Sequence, residues 1–156
     1  MEDSWSIGTL TRAAWIPANT RTNPIAADAI TSSNNNYLYS HEVGHDADGL
    51  AMNAYIESGG IQMGDGEDFM SISRMIPDFE FRGTAASASM DITIKGKDFP
   101  LNAATTLATA TVTQNTNQSF LRARTRESII RVESTGTGYG WTLGELRLDV
   151  RTDGRR

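Results

Sequence analysis

Apolar and polar side chains alternate with a period of two along most of this chain, and a segment with that period buries a single face only as a β-strand. In SFLRARTR (119–126), Arg122, Arg124 and Arg126 alternate with Leu121, Ala123 and Thr125, so the three guanidinium groups are expected on one face. IIRVES continues the pattern through Arg131. After the turn TGTGYG, the stretch TLGELRLDVR sets Leu146, Leu148 and Val150 against Arg147, Asp149 and Arg151. Eight of the fourteen basic residues lie in 119–156, and all eight are Arg. Strands laid side by side would present an arginine/carboxylate ladder. Such a ladder suits a rigid protein–protein contact surface better than a catalytic cleft, with Glu127, Glu133 and Glu145 as expected partners.

Six further strand candidates sit between Gly, Asn and Asp clusters: SWSIGTLTRAAWI, NYLYSHEV, AMNAYIES, FMSISRMI, ASMDITIKG and TATVTQ. Helix-like stretches are confined to about 25–30 (PIAADA) and 99–109 (FPLNAATTLAT), where Thr and Pro weaken them. The expected fold is all-β, a β-sandwich-like domain with the jelly-roll among its forms, preceded by a β unit resembling part of a propeller blade. Pro77–Asp78 and the Gly83–Ser89 stretch divide the chain into 1–76, a unit incomplete on its own, and 77–150, with 151–156 as a frayed tail. The first unit's edges should be completed by another surface.

A chain of 156 residues suffices for one core. Without Cys there is no disulfide framework and no thiolate metal site. No apolar run approaches the length of a membrane span or a signal segment, which predicts a soluble chain made in a cytoplasm, with no membrane partner. The net charge of −5 is asymmetric: residues 1–119 hold six basic and fourteen acidic side chains, and 120–156 hold eight and five. Overall acidity argues against sequence-reading DNA binding but suits a passage along which DNA slides.

His41-Glu42-Val43-Gly44-His45 matches the zinc-peptidase pattern H-E-x-x-H, with Glu42 as general base. That chemistry needs a helix, whereas NNNYLYS before it favours a strand and Gly44 with DADG after it favours a turn. On a strand the two imidazoles would stand roughly 13 Å apart, too far for one zinc. Asp46 and Asp48 in DADG resemble the start of a calcium loop, and Asp65, Glu67 and Asp68 form a carboxylate-rich turn. Both are candidate cation sites, and both read as solvated turns. Trp5, Trp15 and Trp141 read as packing anchors, with sugar stacking in a host-glycan-binding module as the alternative role.

Five segments together resemble the C-terminal part of the tail nozzle, or tail-hub and DNA-stabilisation, proteins of short-tailed bacteriophages. They are WSIGTLTRAAW (5–15), YSHEVGHDADG (39–49), AYIESGGIQMGDGEDFMSISRMIPDF (54–79), MDITIKGKDFPL (90–101) and GYGWTLGELRLDVRTDGRR (138–156). The family pattern H-E-x-G-x-D-x-D-G falls on 41–49 and does not require His45. The resemblance implies a virion structural protein without catalysis or cofactor. It implies assembly in a ring with itself or with larger tail proteins (portal, adaptor, fibre or spike), around packaged DNA. Arg122, Arg124, Arg126, Arg131, Arg147 and Arg151 are the expected interface residues, and no catalytic residue carries over. Family members are several times longer than this chain.

Overall fold

The computed structural model describes residues 12–19, 21–29, 37–83 and 88–155. Among these residues there are thirteen strands and no helix, and every strand pair is antiparallel. The chain forms two compact units, Met1–Gly44 and His45–Arg156.

The smaller unit is a meander of β1 (Arg12–Ile16), β2 (Ile25–Asp28) and β3 (Leu38–Ser40). Three strands are described, against four in a propeller blade. β2 falls in one of the two stretches that read as helix. A four-residue run cannot repay helix nucleation, whereas a central strand gains a ladder on each side. Register sorts the side chains by face. Ile16 stands opposite Ile25, and Ala14 opposite Ala27, which itself faces Leu38. The other face carries Trp15, Ala26 and Tyr39 in one row, with Arg12 over the Tyr39 ring at 3.8 Å. The N-terminal part of the first strand candidate, with Trp5, lies outside the described residues.

The larger unit contains β4 (Ala54–Glu57), β5 (Ile61–Gln62), β6 (Met70–Ile76), β7 (Phe79–Gly83), β8 (Ser89–Lys97), β9 (Thr105–Thr113), β10 (Ser119–Thr125), β11 (Glu127–Ser134), β12 (Tyr139–Leu143) and β13 (Arg147–Thr152). One sheet runs β4-β11-β8-β9, with β5 beside β4 on the same edge of β11; a second runs β10-β6-β13; and β7 pairs with β12. The inner faces of the two larger sheets share one apolar cluster. Met90, Ile92, Ile94, Val112 and Val132 come from the first, and Met70, Ile72, Met75, Leu121 and Ala123 from the second. Full burial of each large aliphatic side chain contributes about 1.5–3 kcal/mol. This is the expected sandwich-like, all-β architecture.

β9 begins within the second helix-like stretch and takes in its last five residues, 105–109. Its alternation of Thr109, Thr111 and Thr113 with Ala110 and Val112 turns hydroxyls outward and apolar groups inward, as β-branched residues favour. Ala108 and Ala110 stand opposite Ile94 and Ile92, pairing small with large across the sheet. Outside, the Thr109 and Thr93 hydroxyls lie 3.2 Å apart, and Thr111 donates to Asp91 at 2.5 Å.

The expected boundary at residue 76 is not where the units divide. β6 lies between β10 and β13, so segments on either side of Pro77 close one core. Pro77–Asp78 is a corner where β6 gives way to β7, and Gly144–Leu146 is the matching corner between β12 and β13. The expected strand TLGELRLDVR is therefore two strands. The corners are tied together: Gly144 N–H donates to the Asp78 carbonyl at 2.8 Å, and Glu145 N–H to the Asp78 carboxylate at 3.1 Å. A Cβ on Gly144 would collide with that carboxylate. Phe79, Phe81 and Trp141 bring the β7–β12 ribbon onto the shared cluster, and the Trp141 indole donates to Ser134 Oγ at 2.8 Å.

The expected frayed tail is held instead. Arg151 and Thr152 pair with Ser71 and Met70. Beyond them, Asp153 N–H donates to the Phe69 carbonyl at 2.8 Å, and Phe69 N–H to the Gly154 carbonyl at 2.7 Å.

Ile92, 0% exposed at the centre of the cluster, sets a stability test. Ile92→Ala should cost about 2–5 kcal/mol in urea unfolding, whereas Phe120→Ala, at a site 73% exposed, should change stability by less than about 0.5 kcal/mol.

Candidate interaction surface

The outer face of the β10-β6-β13 sheet gathers most of the arginines that alternation singled out. Leu121, Ala123 and Thr125 point into the core, and Phe120, Arg122 and Arg124 point out. Register extends the face across three strands. Phe120 lies opposite Arg74 and Arg74 opposite Asp149; Arg124 lies opposite Ser71 and Ser71 opposite Arg151; Arg147 lies opposite Ile76. Arg122 sits in the irregular step between Phe120 and Ala123.

Their partners differ from those expected. Arg124 pairs with Asp153 at 2.5 Å, and Arg74 with Asp149 at 2.7 Å. Arg126 donates to the backbone carbonyls of Asp98 at 3.3 Å and Arg155 at 3.0 Å. The guanidinium carbons of Arg124 and Arg126 lie 4.0 and 4.6 Å from the centre of the Phe69 ring, so one aromatic side chain orders both cations. Arg122, Arg147 and Arg151 are exposed and make no ion pair among the described residues. Glu127 and Glu133, the expected partners, are engaged on the other sheet by Lys97 at 3.5 Å and Arg131 at 2.8 Å.

Arg131 therefore belongs to a separate surface. On the outside of the five-stranded sheet it stacks on Tyr55 at 3.9 Å and pairs with Glu57 and Glu133, while Lys95 meets Glu57 at 2.7 Å. The Lys95 hydrogen bond, with Arg131 adding to it, outweighs partial desolvation and holds the Glu57 carboxyl below its ordinary range. Glu133, and after it Glu57, raises Arg131 in return.

The zinc-peptidase pattern lacks the helix it needs. Residues 42–46 form a bend, with positive φ at Glu42 and Gly44. His41 packs on Trp15, ring centres 4.4 Å apart, within the smaller unit. His45 belongs to the larger unit and fills space left by Gly83 and Gly140, where a Cβ would meet its ring. Asp48–Gly49 is a tight turn with both φ positive, closed by paired Ala47–Leu50 backbone bonds of 2.9 and 3.1 Å.

The candidate cation turns serve the backbone and the tail. Asp46 accepts the Gly138 N–H, and Asp65 accepts the Glu67 N–H at 3.3 Å. Arg155 bridges Glu67 at 3.3 Å and Asp68 at 3.1 Å, and the hydrogen bond to Asp68 leads in raising its pKa. No group of three or more His, Cys, Asp or Glu residues among the described residues is arranged to hold a metal ion. The roles of Phe69, Asp153 and Arg155 carry no local sequence signal. Phe69 opens a strand candidate, and the other two have the composition of a tail.

Because the folded-state pKa of Glu57 is depressed, its contribution to stability is full above the ordinary carboxylate value of about 4.3. That contribution is lost as pH falls through the lower folded value. Glu57→Gln should therefore lower the urea midpoint at neutral pH, and the gap from the parent should close on acidification. A gap independent of pH would contradict this account. In comparisons with known proteins, no family model and no curated protein matches the chain.

Proposed function

We propose that this chain is a structural protein of a short-tailed bacteriophage tail, of the nozzle or hub type. It joins a ring with copies of itself or with larger tail proteins, and packaged DNA passes through without sequence-specific binding. On this reading it is assembled in the bacterial host cytoplasm, resides in the virion and performs no catalysis. The observation that carries the proposal is the β1-β2-β3 sheet, which exposes large apolar side chains on both faces. Ile16 (55%) and Leu38 (75%) stand on one face, and Trp15 (56%) and Tyr37 (54%) on the other. Among its described residues this sheet buries only Ala26, and large exposed apolar side chains of this kind call for a neighbouring surface.

Two further features support the reading. Ile56 and Ile61 stand opposite the buried residues Val132 and Ser128 but are about half exposed, so the sandwich is open along the β4/β5 edge. The five segments that resemble nozzle proteins also occur in family order along the chain. Native mass spectrometry of the purified chain should give a closed oligomer, and Leu38→Ser should shift it toward monomer. A chain that stays monomeric both alone and when mixed with portal or adaptor protein would sink the proposal.

A further inference from the structure

We propose that the outer face of the β10-β6-β13 sheet binds the phosphodiester backbone of nucleic acid through Arg122, Arg147 and Arg151. At the sheet's end Arg126 adjoins Glu67, Asp98 and Arg155, and across its strands five arginines (74, 122, 124, 147 and 151) face two carboxylates, Asp149 and Asp153. Both carboxylates are taken up by Arg74 and Arg124, which leaves a surplus of positive charge. The three arginines without ion pairs are spread over β10 and β13, Arg151 opposite Ser71 and Arg147 opposite Ile76 on β6.

Spacing suits a charged strand. Arg147 and Arg151 lie four residues apart on β13, about 13 Å, close to four times the roughly 3.4 Å of helix axis per charge on one DNA strand. A dry protein partner fits less well. The core of a stable interface is apolar and depleted of charge, whereas Ile76 is the one aliphatic side chain on these rows. Clustered like charges there would also cost several kcal/mol against a surface without matching carboxylates. Net acidity is no obstacle, because the screening length at physiological salt is about 8 Å and the local face dominates contact. Phe120, 73% exposed beside these arginines, adds a stacking surface for unpaired bases.

This site does not depend on the assembly reading, and its test is separate. Fluorescence anisotropy of the full chain would be measured with labelled oligothymidine and with a labelled duplex of equal length. Three phosphate contacts predict that raising salt from about 50 to about 200 mM weakens duplex binding roughly 40-fold and single-strand binding roughly 20-fold. Replacing Arg122, Arg147 and Arg151 together by Ala should remove most of that salt dependence, and Arg82→Ala on β7 should leave it intact. An unchanged urea midpoint in the triple variant establishes that its fold is retained. Phe120→Ala should weaken oligothymidine binding and leave duplex binding unchanged, because only unpaired bases can stack on the ring; equal loss with both probes would remove Phe120 from the site. Absence of binding to both probes at low salt would overturn the proposal, as would binding indifferent to the triple substitution. If the triple variant instead loses a native oligomer without a change in nucleic-acid binding, the face is a subunit contact.

Discussion

Burial of the inner faces of β6 and β8 in one apolar cluster is the constraint on which the larger unit depends. Both are inner strands of their sheets, with partners on either side, and both carry side chains excluded from water. Once those faces are committed, neighbouring registers follow. A one-residue slip of β11 against β8 would expel Val132 and Ile130 from their places opposite Ile92 and Ile94. The outward side chains are then equally determined, and two chemically different surfaces result from one packing event.

On the five-stranded sheet, the outward rows neutralise themselves through Lys95, Glu57, Arg131 and Glu133. On the three-stranded sheet, they leave an excess of guanidinium groups. Exposed ion pairs of this kind are each worth about 0–1 kcal/mol, so neither array explains why the domain folds. Their consequence lies in which charges remain free for a partner. The Phe69 ring between Arg124 and Arg126, with Asp153 drawn in from the C-terminal segment, orders one end of the basic face and ties down the chain end that the composition TDGRR presented as loose.

Part of this architecture is legible in the amino-acid sequence. Alternation in SFLRARTR identifies which side chains point inward, and DADG announces a turn that the backbone makes at Asp48–Gly49. Other signals are ambiguous for physical reasons. Ala and Thr in 99–109 satisfy a weak helical pattern, and the preference reverses only when Ile92 and Ile94 stand opposite the alanines. Pro77–Asp78 carries the same local chemistry in a linker as in a corner between paired strands. The H-E-x-x-H spacing has meaning only on a helix, and positive φ at Glu42 and Gly44 removes it.

By itself, then, the sequence determined the all-β class, the inward and outward assignment of each clear strand, and the sharp turns. These depend on side-chain period and on backbone freedom at single residues. Tertiary structure alone decided which strands are neighbours, where the units divide and which arginines keep a free charge. Arg74 meets Asp149 across 75 positions of chain, and Arg124 meets Asp153 across 29. Such pairings follow from register and shared burial, and no local pattern encodes them.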